Sequence, residues 1–199
     1  SDGGVKSIDD LMVYTSLGRP GPMPMISTYI KRRDDKNESW KSEEHPKVAE
    51  LLKNTYSITV YQEQVTSMLT NLAGFSVPEA DKARKIMSKK WKDQMVWVRE
   101  KTILGFSKTL TGKCPHKRPE ASDEEALENL RIMDEISGTT EWTWAKEYWK
   151  RLETFARYSF NLAHALSYSL QSYRCLYLKS HYPAEWWGSV LNNCDTDRI

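Results

Sequence analysis

Apolar residues recur at three- and four-residue intervals along most of the chain, the spacing that gives a helix one buried face. Ser7 to Leu17 predicts a short helix, stopped by Gly18 and by Arg19-Pro20-Gly21-Pro22, where two prolines interrupt regular hydrogen bonding. A second helix is expected over Met25 to Arg33. The polar run Asp34 to Glu44 reads as a surface loop, and His45-Pro46 starts a helix to Lys53. Ser57 to Val60 reads as a short strand or an extended lead-in. Tyr61, Val65, Met68, Leu69 and Leu72 then define one face of a helix ending near Gly74. Pro78 sits where helices begin, and Ala80, Ala83 and Met87 continue as the buried side of that element.

Lys82, Lys85, Lys89 and Lys92 fall on another side of the same helix if it runs unbroken, with Arg84 beside them. Residues 106–140 hold Gly112, Pro115, Pro119 and Gly138, follow Gly105, and read as an insertion, a long loop with one acidic helix. Helical character returns from Trp142 through Phe155. A last long helix is expected from Asn161 to Tyr182, ended by Pro183. Leu162, Leu166, Leu170, Tyr173 and Tyr177 form its apolar side, and His164, Ser167, Gln171 and Arg174 its polar side. The expected class is all-α. Residues 1–6 are expected to be added or linker residues, 7–187 one domain with residues 106–140 inserted, and 188–199 a tail toward the next domain.

The bulk composition narrows the class of protein. With 39% hydrophobic and 28% charged residues among 199, the chain is polar but able to bury a core. No apolar run approaches the roughly 20 residues that cross a bilayer, and no secretory leader opens the sequence, so a cytoplasmic monomer away from membranes is expected. Cys114, Cys175 and Cys194 are too few and scattered for a disulfide framework. Cys114-Pro115-His116 lacks a second ligand pair for zinc, so no metal site is expected. The eight tryptophans are expected mainly in packing.

A net charge of +2 conceals a strong asymmetry. Ten Lys and Arg stand between Lys82 and Lys113, whereas seven acids face the single Arg131 between Glu120 and Glu135. Distribution therefore says more about anionic partners than the sum does.

Five stretches carry the chemistry. They are Arg19-Pro20-Gly21-Pro22; Asn54 to Val65, which contains Tyr61-Gln62-Glu63-Gln64-Val65; Ala80 to Lys90, which contains Arg84-Lys85-Ile86-Met87-Ser88-Lys89-Lys90; Phe160-Asn161-Leu162-Ala163-His164-Ala165; and Leu178 to Glu185. In this order they resemble the signature stretches of C-family bacterial replicative DNA polymerases, the DNA polymerase III alpha subunit kind, in their fingers region. The resemblance covers Ser7 to Trp187 apart from residues 106–140. Departures accompany it. Ser57 and Ser88 stand where the family usually has Gly, Leu162 and Ala163 replace Lys and Ser, and Lys85 replaces the second Arg of a pair. Such drift fits a phage-encoded or divergent enzyme.

The resemblance implies a part that grips an incoming deoxynucleoside triphosphate and primer-template DNA during replication, beside other replisome subunits. The metal-binding aspartates and their Mg²⁺ would belong to a palm upstream of Arg-Pro-Gly-Pro, so this fragment alone is expected to be inactive and to hold no catalytic residue and no cofactor. Triphosphate oxygens call for Arg, Lys and helix N-termini. Arg84 and Lys85 are the first candidates, with Lys89 and Lys90 next; a solvated lysine face is the plain alternative. Asn161 would cap the last long helix with His164 in its first turn, which offers either a phosphate contact or an ordinary cap. Gln62, Glu63 and Gln64 could line the nucleotide or template channel, as the resemblance implies, or simply cap and pack, and Gln171 and Arg174 could meet the DNA backbone or solvent. Arg19 could position phosphate, but is expected instead to shape its loop, paired with a carboxylate. The competing reading of the chain is a non-catalytic helical module, derived from a polymerase, that binds DNA or a replication partner.

Overall fold

The computed structural model describes residues 4–89, 91–110, 131, 135 and 137–193. Among them stand nine α-helices, two 3-10 turns and a single isolated β-bridge, so the all-α class holds. The helices are α1 (Ile8–Leu17), α2 (Met25–Asp34), α3 (Pro46–Leu51), α4 (Gln62–Ala73), α5 (Val77–Lys89), α6 (Lys92–Leu110), α7 (Thr140–Tyr158), α8 (Leu162–His181) and α9 (Pro183–Asn193).

Local signals fix most boundaries. The Ser7 hydroxyl accepts the Asp10 N–H at the start of α1, and Gly74 takes a left-handed conformation after α4. At the start of α5, the Ser76 N–H and hydroxyl both donate to Glu79. The Thr139 hydroxyl accepts the Trp142 N–H at the start of α7.

Two apolar clusters hold the helices. The larger joins α3, α4, α5, α6 and α7 through residues such as Val65, Met68, Ile86, Phe106 and Leu152. The smaller joins α1 and α2 to the segment Ile58 to Tyr61 and to Ala165 of α8. They meet where the extended chain after Ser57 runs beside Phe160: the Phe160 N–H donates to the Val60 carbonyl at 2.9 Å, and the Gln62 N–H donates to the Phe160 carbonyl at 2.9 Å. The expected lead-in is therefore extended and pairs with the segment before α8, nearly 100 residues away.

Several expectations are corrected. Residues 34–44 are not simply a surface loop, because the Ser39–Lys41 turn buries Trp40 and Glu44 is buried against Arg151, whose Nη1 lies 3.2 Å away. Trp40 packs edge-on against Tyr56 there. The supposed insertion begins too early: residues 106–110 end α6, and Phe106 is fully buried against Trp144 and Tyr148. Gly105 does not break the chain. It lets α6 touch α4 so closely that an added Cβ would fall 2.2 Å from the Ala73 carbonyl oxygen. Residues 111–130 of the expected insertion, with Cys114 and His116, lie outside the described residues, as do Lys90 and the tail from Cys194 onward.

The basic segment is not one surface either. Lys101 and Lys108 are buried in α6 and pair with Glu79 and Glu135 at 3.2 and 3.1 Å. Pro183 does not only end α8 but also opens α9, the position its fixed φ suits. The apolar side of α8 faces solvent. Leu166, Leu170, Tyr173 and Tyr177 are all exposed, and only Ala165 and Ser169 are buried, against α1.

Ser57, where the family usually has Gly, is strained. Its φ is 60°, directly after Tyr56 at 51°, and its buried hydroxyl has no hydrogen-bond partner. Ser88 carries no such strain, since it sits inside α5 and donates to the Lys85 carbonyl. Replacing Ser57 with Gly removes a left-handed penalty of about 1–2 kcal/mol and an unpaired hydroxyl, against a chain-entropy cost of about 0.5–1 kcal/mol. Ser57→Gly should therefore stabilise the chain by about 1 kcal/mol in urea denaturation. Gly105→Ala should destabilise it by about 3 kcal/mol, because backbone rather than a flexible side chain occupies the space.

Candidate anion-binding corner

The corner is built where α4, α5 and the start of α8 come together. Gln62, the first residue of α4, accepts a hydrogen bond from Arg84 Nη1 at 3.1 Å. Its amide nitrogen lies 3.5 Å from the Ser159 carbonyl, a long contact. Glu63, next in α4, accepts from Asn161 Nδ2 and from the Leu162 N–H, each at 3.0 Å. Asn161 in turn accepts the His164 N–H at 2.8 Å, the cap expected of it. Arg84 and Asn161, 77 residues apart in sequence, are thus linked through two consecutive residues of α4.

On α5, Asp81 accepts from Arg84 Nη2 at 2.7 Å and from Lys85 at 2.6 Å. These bonds, from Lys85 and then from Arg84, hold its carboxyl below the usual carboxylate range. The Arg84 side chain is mostly covered, 16% exposed, whereas that of Lys85 is open to solvent. Lys89 is exposed and lies over the Trp91 ring at 5.2 Å. His164 is exposed and stands between Phe160 and Tyr168, with ring centroids at 5.2 and 4.3 Å.

Other expected site residues are placed differently. The Gln64 side-chain oxygen accepts the N–H groups of Val60 and Tyr61 at 2.8 and 2.9 Å, and its nitrogen donates to Thr55 at 2.7 Å. Every group of that amide is engaged in holding the chain before α4. Gln171 and Arg174 lie about three to three and a half turns from the Asn161 cap of α8 and are exposed. The Gln171 amide donates to Cys175 Sγ at 3.8 Å.

Arg19 shapes its loop. It donates to the Ser16 carbonyl at 3.0 Å and to the Tyr158 carbonyl at 2.6 Å, and it lies 4.8 Å from the Phe160 ring centroid. Gly21, at φ 109°, lies where a Cβ would meet the Tyr158 ring at 2.7 Å. The sequence did not single out Asp81, and it offered Glu63 only as a channel-lining side chain, not as a partner of the α8 start. The i,i+3 and i,i+4 spacing of Asp81 to Arg84 and Lys85 was a usable signal, whereas the Glu63 pairing spans 98 and 99 residues and had none.

A profile of the bacterial DNA polymerase III alpha subunit finger domain matches residues 4–109, a span that holds Arg19, Gln62, Glu63, Asp81 and Arg84. The chain belongs to that finger-domain family. It is similar to the DNA polymerase III subunit alpha of Thermus aquaticus, 34% identical over 199 residues that cover 98% of this chain and 14% of that protein. The Staphylococcus epidermidis protein of the same name is 36% identical over 93% of this chain and 14% of its own length. That of Aquifex aeolicus is 34% identical over 96% and 14%. The chain thus spans about one seventh of each of these relatives. The finger-domain match runs into the last turn of α6, in keeping with the corrected start of the insertion. No described helix is long and apolar enough to cross a membrane.

Gln64 separates a scaffolding role from a nucleic-acid contact. Gln64→Ala strips the partners from two part-buried backbone N–H groups and should cost about 2 kcal/mol in chemical denaturation. A stability equal to the parent chain would contradict the scaffolding role.

Proposed function

We propose that this finger domain grips the triphosphate of an incoming deoxynucleotide beside primer-template DNA, as part of a longer DNA-directed DNA polymerase. The observation that carries this reading is the convergence of Arg84 and Lys85 with the capped start of α8 through Gln62 and Glu63. A guanidinium held by a neutral amide and one carboxylate stays oriented, and a second cation beside it is open to solvent. Together they present oriented positive charge to an anion. His164 and Asn161 would flank the phosphates, Lys89 and Lys90 would extend the positive side, and Gln171 and Arg174 would face the nucleic-acid backbone. Other replisome subunits would act through the remainder of the polymerase.

Mg²⁺ belongs to this proposal as the cofactor of the complete enzyme, held by palm aspartates beyond this chain. Among the described residues no group of three or more His, Cys, Asp or Glu is placed to hold a metal ion, so no step here is routed through it. The contribution of this chain is to bind and orient.

In the complete polymerase, Arg84→Ala should raise the KM for deoxynucleotide about tenfold, the loss of one charge-assisted hydrogen-bonding group. The dissociation constant for primer-template should change less than twofold. Equal losses in nucleotide use and DNA binding would count against the triphosphate role, and incorporation of labelled nucleotide by the 199-residue chain alone would overturn the placement of the metal aspartates outside it.

A further inference from the structure

The groups assigned above to phosphate already have anions. Arg84 and Lys85 share the Asp81 carboxylate at 2.7 and 2.6 Å, and the Leu162 N–H at the start of α8 donates to Glu63 at 3.0 Å, beside the Asn161 amide at 3.0 Å from the same side chain. A carboxylate near a helix N-terminus is favoured by the same partial charges that favour a phosphate there. We propose that Asp81 and Glu63 are resident counter-anions of this corner, and that a polyphosphate binds by displacing them. The inference rests on the reading of Arg84 and Lys85 as triphosphate contacts.

The two carboxylates are suited to exchange for different reasons. Asp81 lies three and four residues before its partners on one face of α5, and its side chain is 43% exposed, so it can rotate into water without disturbing the core. Exposed ion pairs are held weakly, which keeps the displacement small in cost. Glu63 is carried by α4 and not by α8, so its release would leave the Asn161 cap on the His164 N–H in place. A polyphosphate long enough to reach from Arg84 and Lys85 to the α8 N-terminus would replace both carboxylates. Orthophosphate, a single phosphate group, replaces one at most. The resident pair would thereby select for polyphosphates over smaller anions.

Calorimetric titration of inorganic tripolyphosphate, and separately of orthophosphate, into the 199-residue chain at low salt tests this. Asp81→Asn and Glu63→Gln should each tighten tripolyphosphate binding about two- to fivefold. Each should also narrow the preference for tripolyphosphate over orthophosphate, and Arg84→Ala should weaken binding. If Arg84→Ala weakens binding while neither carboxylate variant tightens it, the carboxylates are scaffolding: the displacement inference fails and the triphosphate reading stands. If the parent chain and both carboxylate variants bind no tripolyphosphate, or if Arg84→Ala changes nothing, the triphosphate reading itself fails and the inference goes with it. Thermal melting checks that each variant is folded. Should Glu63→Gln melt early through loss of its contact with α8, Asp81→Asn alone decides, since its exposed side chain supports no core element.

Discussion

Two backbone hydrogen bonds decide how this molecule is put together. Phe160 donates to Val60 and accepts from Gln62, and these bonds tie the chain entering α4 to the chain entering α8. Both segments are extended there and carry backbone groups that burial would otherwise leave unpaired. The pairing also sits at the seam between the two apolar clusters, since Val60 and Tyr61 belong to the smaller one and α4 leads directly into the larger. Fixing the seam fixes the relative directions of α4 and α8. The side chains of Gln62 and Glu63 then meet Arg84 of α5 and the start of α8 respectively.

Around that seam, conspicuous polar residues turn out to shape the backbone. Arg19 spans from the Ser16 carbonyl to the Tyr158 carbonyl and so holds the proline-glycine loop against the end of α7. Gln64 occupies both N–H groups that precede α4. Arg32 donates to the Tyr56 carbonyl at 3.0 Å, directly before the strained Ser57. An unpaired backbone group costs about 1–3 kcal/mol when buried, so these side chains maintain the geometry on which Arg84 depends. The corner is specific in shape because its supports are polar and directional, while the apolar clusters supply most of the cohesion.

How far the sequence could be read depended on whether an element carried its own signal. α4 and α5 were legible because each has one buried side and clear punctuation, Gly74 and Pro78. α6 was not. It packs between α4 and α7 with Thr102, Ile103, Phe106, Ser107 and Lys108 all buried, so no one-sided period marks it, and Gly105 mimics a break while serving close contact with α4. α9 was missed because proline ends one helix and begins another equally well. The loop over residues 34–44 misled because its polar composition gives no hint that Glu44 would be neutralised by Arg151 or Trp40 covered by Tyr56. In the candidate site, Arg84 and Asn161 were singled out through their motifs, but Glu63 gained its place only when residues 98 positions apart came together.

α8 shows why that corner bears on the rest of the domain. The helix is 20 residues long, yet only Ala165 and Ser169 are buried, both small, and they allow α1 to approach until the Thr15 and Ser169 hydroxyls lie 3.5 Å apart. Small side chains bury little apolar area, so packing alone constrains the helix weakly. Its direction is set mainly at its start, by the Phe160 pairing, the Asn161 cap and the Glu63 carboxylate. Gln171 and Arg174 ride on the same helix about three to three and a half turns away. A rise of 1.5 Å per residue places them about 15–20 Å from the cap, so a small change of angle at the cap moves them by a larger distance. The contacts that organise the proposed phosphate corner therefore also determine where the far, exposed part of α8 is carried.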